Sequence, residues 1–219
     1  MNTVRIGAGA LALVVFLAMS PTPVGADIIY SGSLVSSADG TGGIQGVSTW
    51  IDPGDTTFAW EVTVYDTHVH YKYTLTVPEH DVSHLIIETS TNFGSEDIDN
   101  ETGNFNGTEI KTHIPGKGNP DMPDDVYGVK FDDTSGTTLV IEFDSTRLPV
   151  WGDFYAKDGG NPINQAWNDG FLDDDPTDPP ADDSIANHVL VPNGHTPEPA
   201  AMALLVLGGT GVLMRRRRH

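Results

Sequence analysis

Apolar and polar residues alternate one by one along several stretches of this chain, and this pattern restricts its fold more than any other feature. In residues 58–64 and 71–77 every second side chain is apolar, and most of those between are polar. Residues 127–131 and 139–143 show the same pattern. Successive side chains of a β-strand point to opposite faces, so each stretch is predicted to be a strand with one buried face.

Ten or so short stretches of this kind are separated by clusters of glycine, proline and aspartate. No window of a dozen residues has a helical period, so the strands are expected to pack on one another. Residues 27–196 are therefore predicted to form an all-β domain, an antiparallel β-sandwich or jelly roll. Two polar stretches, 91–107 and 168–183, are predicted to be long surface loops. The other predicted strands are 28–35, 45–51, 82–89, 109–114, 151–156 and 188–191.

The first 26 residues have the organisation of a secretory signal peptide. Arg5 is followed by an apolar run over 6–19, and small residues precede the bond between Ala26 and Asp27. As a helix the run would be about 21 Å long, shorter than the roughly 30 Å hydrocarbon core of a bilayer. We therefore expect signal peptidase to cleave at Ala26–Asp27, the alternative being a retained N-terminal anchor.

The C-terminal end consists of three parts in a fixed order. A Pro-Glu-Pro tripeptide precedes the apolar stretch 200–214, and four arginines follow it. The prolines stop regular structure, the apolar stretch can enter the bilayer during export, and the arginines oppose passage through hydrocarbon. The stretch is short and contains three glycines, so a transient anchor is predicted rather than a permanent span. The residues of this tail are Pro197, Glu198, Pro199, Arg215, Arg216, Arg217 and Arg218.

This tail, residues 197–219, resembles the PEP-CTERM sorting signal of exported Gram-negative bacterial proteins. The resemblance implies recognition by an exosortase, a membrane transpeptidase-like enzyme, and cleavage near the Pro-Glu-Pro tripeptide. It also implies transient insertion in the inner membrane, and then delivery to the cell surface or an extracellular exopolysaccharide matrix. An ordinary single-span tail is the alternative, and the LPxTG box of Gram-positive sortase substrates is absent.

The charge of the chain excludes several partners and chemistries. The sequence has 219 residues with 31 acidic and 11 basic side chains, and only Glu198 and five of the basic residues lie outside 27–196. The predicted domain therefore has a formal charge of −24, which argues against a nucleic-acid partner, since binding a polyanion requires a basic surface. Without cysteine there is no disulfide, thiol nucleophile or thiolate metal site.

Common catalytic motifs are absent as well. The sequence has no G-x-S-x-G elbow, phosphate-binding loop, H-E-x-x-H helix or dinucleotide fingerprint. A pair of carboxylates for glycoside hydrolysis depends on the fold, so sequence alone does not choose one. We therefore expect a protein that is not an enzyme, with a secreted polysaccharide-acting enzyme as a minor alternative.

Both polar loops carry carboxylates that suggest calcium. Ca²⁺ takes six to eight oxygen ligands, and acidic side chains spaced by two share one side of an extended segment. Neither loop follows the EF-hand order, and a solvated acidic loop is the alternative interpretation. The candidate calcium ligands are Asp97, Asp99 and Glu101 in the first loop and Asp173, Asp175 and Asp178 in the second.

The densest aromatic segment lies between 151 and 167. Flat aromatic rings with polar neighbours can stack on sugars, although core packing is the commoner role of tryptophan. Trp151, Asp153, Tyr155 and Trp167 are the candidate ligand-binding residues, and exopolysaccharide is the candidate partner.

Together these features predict an exported surface or matrix protein with a structural or binding role. The alternative is a calcium-stabilised carbohydrate-binding module.

Overall fold

A computed structural model describes residues 27–37, 41–51 and 55–194 of the protein. The predicted signal peptide, 1–26, and the predicted sorting tail with its apolar helix, 197–219, lie outside these residues. Within them, no helix is long and apolar enough to cross a membrane. The division of the chain at 26 and 196 remains a prediction.

The described residues form thirteen β-strands and one short 3-10 helix, Ser48–Trp50. This confirms the predicted all-β fold. The strands are β1 Ile28–Ser36, β2 Gly43–Val47, β3 Thr57–Val64, β4 Val69–Thr76, β5 Val82–Glu88, β6 Ile98–Gly103, β7 Gly107–His113, β8 Val126–Asp132, β9 Thr138–Ser145, β10 Leu148–Gly152, β11 Phe154–Asp158, β12 Gln165–Asn168 and β13 Val189–Gly194.

Eleven strands make one sheet in the order β6-β9-β4-β3-β1-β2-β12-β11-β5-β8-β7. Neighbouring strands are antiparallel except β1 and β2, which meet in parallel through two residue pairs, so the sheet is mixed. The sheet curls until its two halves face each other, which gives a β-sandwich-like architecture. Strands β10 and β13 form a separate antiparallel ribbon.

A series of aromatic rings fills the space between the two halves. Phe58 of β3 stacks on Phe154 of β11 with ring centroids 4.0 Å apart and planes within 7°. Phe131 of β8 and Phe143 of β9 are 5.8 Å apart, and Tyr73 lies 5.8 Å from Phe58 and 6.0 Å from Phe143. We call these five residues the aromatic column. Each ring comes from an apolar position of its strand, so the alternation seen in the sequence builds the core.

The β10–β13 ribbon is connected to the main sheet by a buried hydrogen bond. The hydroxyl of Tyr73 donates to the carbonyl of Leu190 at 2.9 Å. Leu190 and its neighbours Val189 and Val191 are buried in the same core. The start of β13 therefore has a fixed position against the sheet.

Several stretches differ from the sequence prediction. The first predicted loop, 91–107, contains strand β6, whose side chains after Ile98 are all exposed and therefore show no alternation. The predicted strand 151–156 is divided between β10 and β11, because the chain leaves the β13 ribbon at Asp153 and joins β5 and β12. The short strand β12 was also missed by the pattern.

A nearly buried ion pair holds the segment before β6 in place. Arg147 donates from Nε to Asp97 Oδ1 at 2.8 Å and from Nη2 to Asp97 Oδ2 at 2.7 Å. Asp97 also accepts from the Gly94 N–H and the Thr146 hydroxyl. The hydrogen bond with Arg147 lowers the pKa of Asp97 below its ordinary value, although burial opposes this. This bidentate pair connects the edge of the sheet to the β9–β10 turn.

Replacing Asp97 with asparagine should destabilise the protein by about 2–4 kcal/mol at pH 7, because Arg147 would keep its charge in a nearly buried place without its partner. A carboxylate with a lowered folded pKa stabilises the fold above its unfolded pKa and loses that contribution as the pH falls through the folded value. Urea unfolding should therefore show that the difference between wild type and Asp97→Asn shrinks below about pH 4.

Asp99→Asn is the matched control, since the exposed Asp99 carboxylate accepts the N–H of the adjacent Asn100. It should change stability by less than about 0.5 kcal/mol. Equal losses in the two variants would contradict the role given to the ion pair.

Candidate metal centre

Three potential metal ligands meet beside the junction of β10 and β11. One oxygen each from Asp153 and Asp175 and one ring nitrogen of His188 all lie within 4.8 Å of one another. In the three segments that the structure describes, no other set of three or more acidic or histidine side chains converges this closely. These three residues come from parts of the chain up to 35 positions apart, so the fold creates the cluster.

Asp153, between β10 and β11, is placed by hydrogen bonds with Glu88 and Asn168. Its N–H donates to Glu88 Oε2 at 2.9 Å, and the Glu88 N–H donates to its carbonyl at 3.0 Å. Asn168, the last residue of β12, donates from Nδ2 to Asp153 Oδ1 at 2.6 Å and accepts the N–H of Phe154 at 2.9 Å. Phe154 belongs to the aromatic column, so the core fixes the position of the preceding carboxylate.

His188 immediately precedes β13 and is fully buried. Its Nδ1 is 3.0 Å from the carbonyl of Ala186, which only accepts hydrogen bonds, so Nδ1 carries a proton. In the neutral ring Nε2 then holds a lone pair. This nitrogen has no hydrogen-bond partner and lies 3.7 Å from Asp153 Oδ1 and 3.6 Å from Asp175 Oδ1.

Two glycines allow the polar side chains to approach this closely. A Cβ atom on Gly170 would lie 2.6 Å from His188 Cε1 and 2.6 Å from the Ala186 carbonyl oxygen. A Cβ on Gly152 would lie 2.9 Å from Glu88 Oε2. A larger residue at either position would displace the cluster.

The electrostatics of the cluster favour a positive charge. Burial raises the pKa of Glu88 to about 8, and the carboxylates of Asp175 and Asp153 push it in the same direction. Burial also raises the pKa of Asp153 to about 6, with the hydrogen bond from Asn168 acting in the opposite direction. Burial likewise raises the pKa of Asp175. Three carboxyl groups therefore share a site where their negative charges are poorly solvated, which a proton or a cation would relieve.

The predicted calcium ligands of the second loop are separated by the fold. Asp175 joins Asp153 and His188, with 39% of its side chain exposed. Asp173 and Asp178 are exposed and are not members of the cluster. Asp153, predicted as part of a ligand-binding face, is instead 7% exposed and faces Asp175.

The three predicted calcium ligands of the first loop do not converge either. Asp97 and Asp99 line one cleft of about 310 Å³, and the carboxylate of Asp97 already forms an ion pair with Arg147. Glu101 lines a different cleft. The spacing of two fails to align them because Asn100 adopts a φ of 54° and the β6–β9 register shifts between Asp99 and Thr102.

The aromatic residues predicted to bind a ligand pack against other side chains, and Trp151 and Tyr155 are buried. Trp151 is 1% exposed within the core, and Tyr155 is fully buried, with its hydroxyl donating to the Pro120 carbonyl. Trp167 is partly exposed and packs on the small cluster of Tyr155 and Phe171. Neither Trp151 nor Tyr155 presents a ring face to solvent.

Sequence reasoning missed His188 and Glu88. In the sequence, His188 is simply the first residue of the predicted strand 188–191, and Glu88 lies within the predicted strand 82–89. Both residues contact Asp153, which lies 35 positions before His188 and 65 positions after Glu88. The acidic run around Asp175 was the only local signal, because strand pairing rather than spacing brings these residues together.

Replacing Glu88 with glutamine should stabilise the metal-free protein at pH 8. A carboxyl whose folded pKa is raised binds more protons in the native state than in the unfolded state, so stability falls as the pH rises from about 4.5 to about 8. Glutamine keeps an oxygen to accept the Asp153 N–H and removes the titration. Chemical unfolding with chelator present should show a shallower decline between pH 5 and 8 in Glu88→Gln.

Glu79→Gln is the control, since Glu79 is half exposed in the loop before β5. Its pH profile should follow that of the wild type. Parallel profiles for all three proteins would contradict the assigned electrostatics.

Comparison with known proteins identifies one element of the chain. Residues 195–218 match the PEP-CTERM protein-sorting motif, which confirms the sorting signal predicted from the sequence. A search of curated proteins finds no match to the chain. Among solved structures, the KRT10-binding region domain of the pneumococcal serine-rich repeat protein PsrP is similar at 15% identity, over 66% of this chain and 88% of that one, with a TM-score of 0.21. No conclusion about the present chain follows from so low a score. The motif implies export and membrane-associated sorting.

Proposed function

We propose that the protein is exported, is sorted by an exosortase to the cell surface or an extracellular matrix, and has a structural or binding role there without catalysis of its own. The observation that carries this proposal is the PEP-CTERM motif at 195–218. An apolar stretch followed by arginines suits a transient stop in the inner membrane, after which the β domain is released outside.

The two ends of the chain support the same route. A signal peptide at 1–26 would start export, and the sorting tail would end it. The domain between them has a formal charge of −24, which favours solubility and mutual repulsion outside the cell. It also suits association with matrix through cations.

The described domain also supports a role without catalysis. The carboxyl groups of Asp97 and Asp153 are engaged by Arg147 and by Asn168, as expected for groups that hold the fold together. The cluster at His188 joins β5, the β10–β11 junction, the loop after β12 and the start of β13. Such a position at the meeting of several segments favours stabilisation of the domain.

The calcium-stabilised carbohydrate-binding module has less support. Sugar stacking needs exposed ring faces, whereas Trp151 and Tyr155 are buried. Calcium needs six to eight oxygens, whereas the converging group includes the nitrogen of His188. The secreted polysaccharide-acting enzyme has no dedicated observation in its favour.

The sorting half of the proposal is tested by Glu198→Ala in cells that carry the exosortase. We expect wild-type protein outside the cell to lack the arginine block, and the variant to remain longer and membrane-associated, because the tripeptide is the processing signal. Cell fractionation with intact-mass spectrometry measures both properties.

Glu79→Ala, the same substitution at an exposed site in the β domain, is the control and should be processed normally. Extracellular wild-type protein that still carries Arg215–Arg218, or an unchanged Glu198→Ala protein, would overturn the sorting proposal.

A further inference from the structure

We infer that Asp153, Asp175 and His188 form a binding site for a divalent transition-metal ion of the zinc class. This site goes beyond the sorting route and the general role proposed above. It is carried by the geometry of three side chains, with the buried imidazole as the central observation.

The Nε2 atom of His188 is a buried acceptor without a partner. The ring is fully buried, and Nδ1–H is already used by the Ala186 carbonyl. Leaving such a polar atom unsatisfied is costly, so buried groups of this kind nearly always have a partner. The lone pair points to where Asp153 and Asp175 converge, and neither carboxylate has a proton to donate to it when ionised.

The distances fit ligands of one ion better than hydrogen bonds. Separations of 3.6 and 3.7 Å between Nε2 and the two carboxylate oxygens are too long for hydrogen bonds. Zinc bonds to nitrogen and oxygen measure about 2.0–2.2 Å, which places two tetrahedral ligand atoms about 3.4 Å apart. A shift of a few tenths of an ångström would therefore bring Nε2 to the separation that one zinc ion requires from each carboxylate oxygen, and the two oxygens lie within 4.8 Å of each other.

No lysine or arginine pairs with this site. Throughout the described ranges, the basic residue in contact with Asp153 and Asp175 is His188, whose neutral ring offers them no positive charge, whereas Lys72, Lys130 and Arg147 pair with other acids. Glu88 adds a third carboxyl group next to Asp153. A convergence of acids without lysine or arginine, in a protein that pairs Asp97 with Arg147 elsewhere, is the pattern expected for a cation site.

The groups behind the ligands are also those of a metal site. Metal-bound histidines usually donate their other ring N–H to a carbonyl or carboxylate, as His188 does to Ala186. The carboxylate of Asp153 accepts a hydrogen bond from Asn168 at 2.6 Å, which fixes its orientation. Asp175 is partly exposed and gives the ion a path from solvent.

The donor set selects the class of ion. One imidazole nitrogen with two carboxylates suits zinc and its neighbours, whereas calcium prefers oxygen ligands in larger number. Three protein ligands leave a position for water on the exposed side of Asp175. Bound in this way, the ion would connect the loop after β12 to the β10–β11 junction and to β13, and would stabilise the folded domain.

The test uses the purified full-length chain, treated with chelator and then titrated with zinc chloride in a calorimeter. We expect one zinc ion per chain and a melting temperature several degrees higher with zinc than with chelator. Calcium chloride at the same concentration should leave the melting temperature unchanged. Cobalt(II) chloride should give the visible absorption bands of a four-coordinate ion.

Asp175→Asn is the informative variant, because a partly exposed loop residue can change without disturbing the core. We expect it to bind zinc at least tenfold more weakly while its near-ultraviolet circular dichroism stays that of the wild type. Asp178→Asn makes the same substitution three residues later in the same loop, outside the cluster, and should bind zinc as the wild type does.

Asp153→Asn is a second variant of a proposed ligand, and its zinc affinity is informative if its near-ultraviolet circular dichroism shows a folded protein. Absence of stoichiometric zinc binding to the wild type, equal affinity in Asp175→Asn, or equal weakening in Asp178→Asn would overturn the inference. A calcium shift as large as that of zinc would overturn the choice of ion. None of these results depends on the sorting tail. The zinc site and the sorting route can therefore be contradicted independently of each other.

Discussion

The packing of the aromatic column between the two halves of one curled sheet is the constraint on which the other features of this protein depend. A single sheet has an interior only if it bends back on itself, and stacking of Phe58 on Phe154 joins strands that are not neighbours in the hydrogen-bonded order. Phe154 also determines where Asp153 lies, since the two are consecutive. Two of the three candidate ligands, Asp153 and His188, are therefore a direct extension of the core, and Asp175 reaches them from the loop after β12.

The same core explains why several acidic groups are held together at one point. The Glu88 N–H donates to the Asp153 carbonyl, the Asp153 N–H donates to Glu88 Oε2, and the His188 N–H donates to the Ile185 carbonyl, so hydrogen bonds beside the core hold all three residues. Glu88 and Asp153 cannot move apart without disturbing β5 or β11, whereas Asp175 lies on a partly exposed loop. Protonation and cation binding are then the two ways of lowering the repulsion among them, and they compete for the same oxygens.

The alternation of the sequence was sufficient to predict the class of fold and most strands, because buried faces leave a period of two. It failed at β6, where one residue is buried and the rest are exposed, and at Asp153, where one apolar run serves two different sheets. Asp175 could be predicted as a candidate ligand from the acidic run alone. Its partners His188 and Asp153 could not, since pairing of β10 with β13 brings them together. For the tryptophans, the sequence shows where the rings lie along the chain but not whether they are exposed. Only the folded structure shows that Trp151 is buried.

The two outermost strands of the curled sheet, β6 and β7, follow each other in the chain and are joined by three residues. Both carry mainly exposed polar side chains, among them Asp99, Glu101, Glu109 and Lys111. Charged outer strands discourage the backbone of another molecule from adding to the sheet. At high local concentration such domains would stay separate instead of growing into fibres through β6 and β7, and contacts between copies at this edge would have to be made through side chains and counterions.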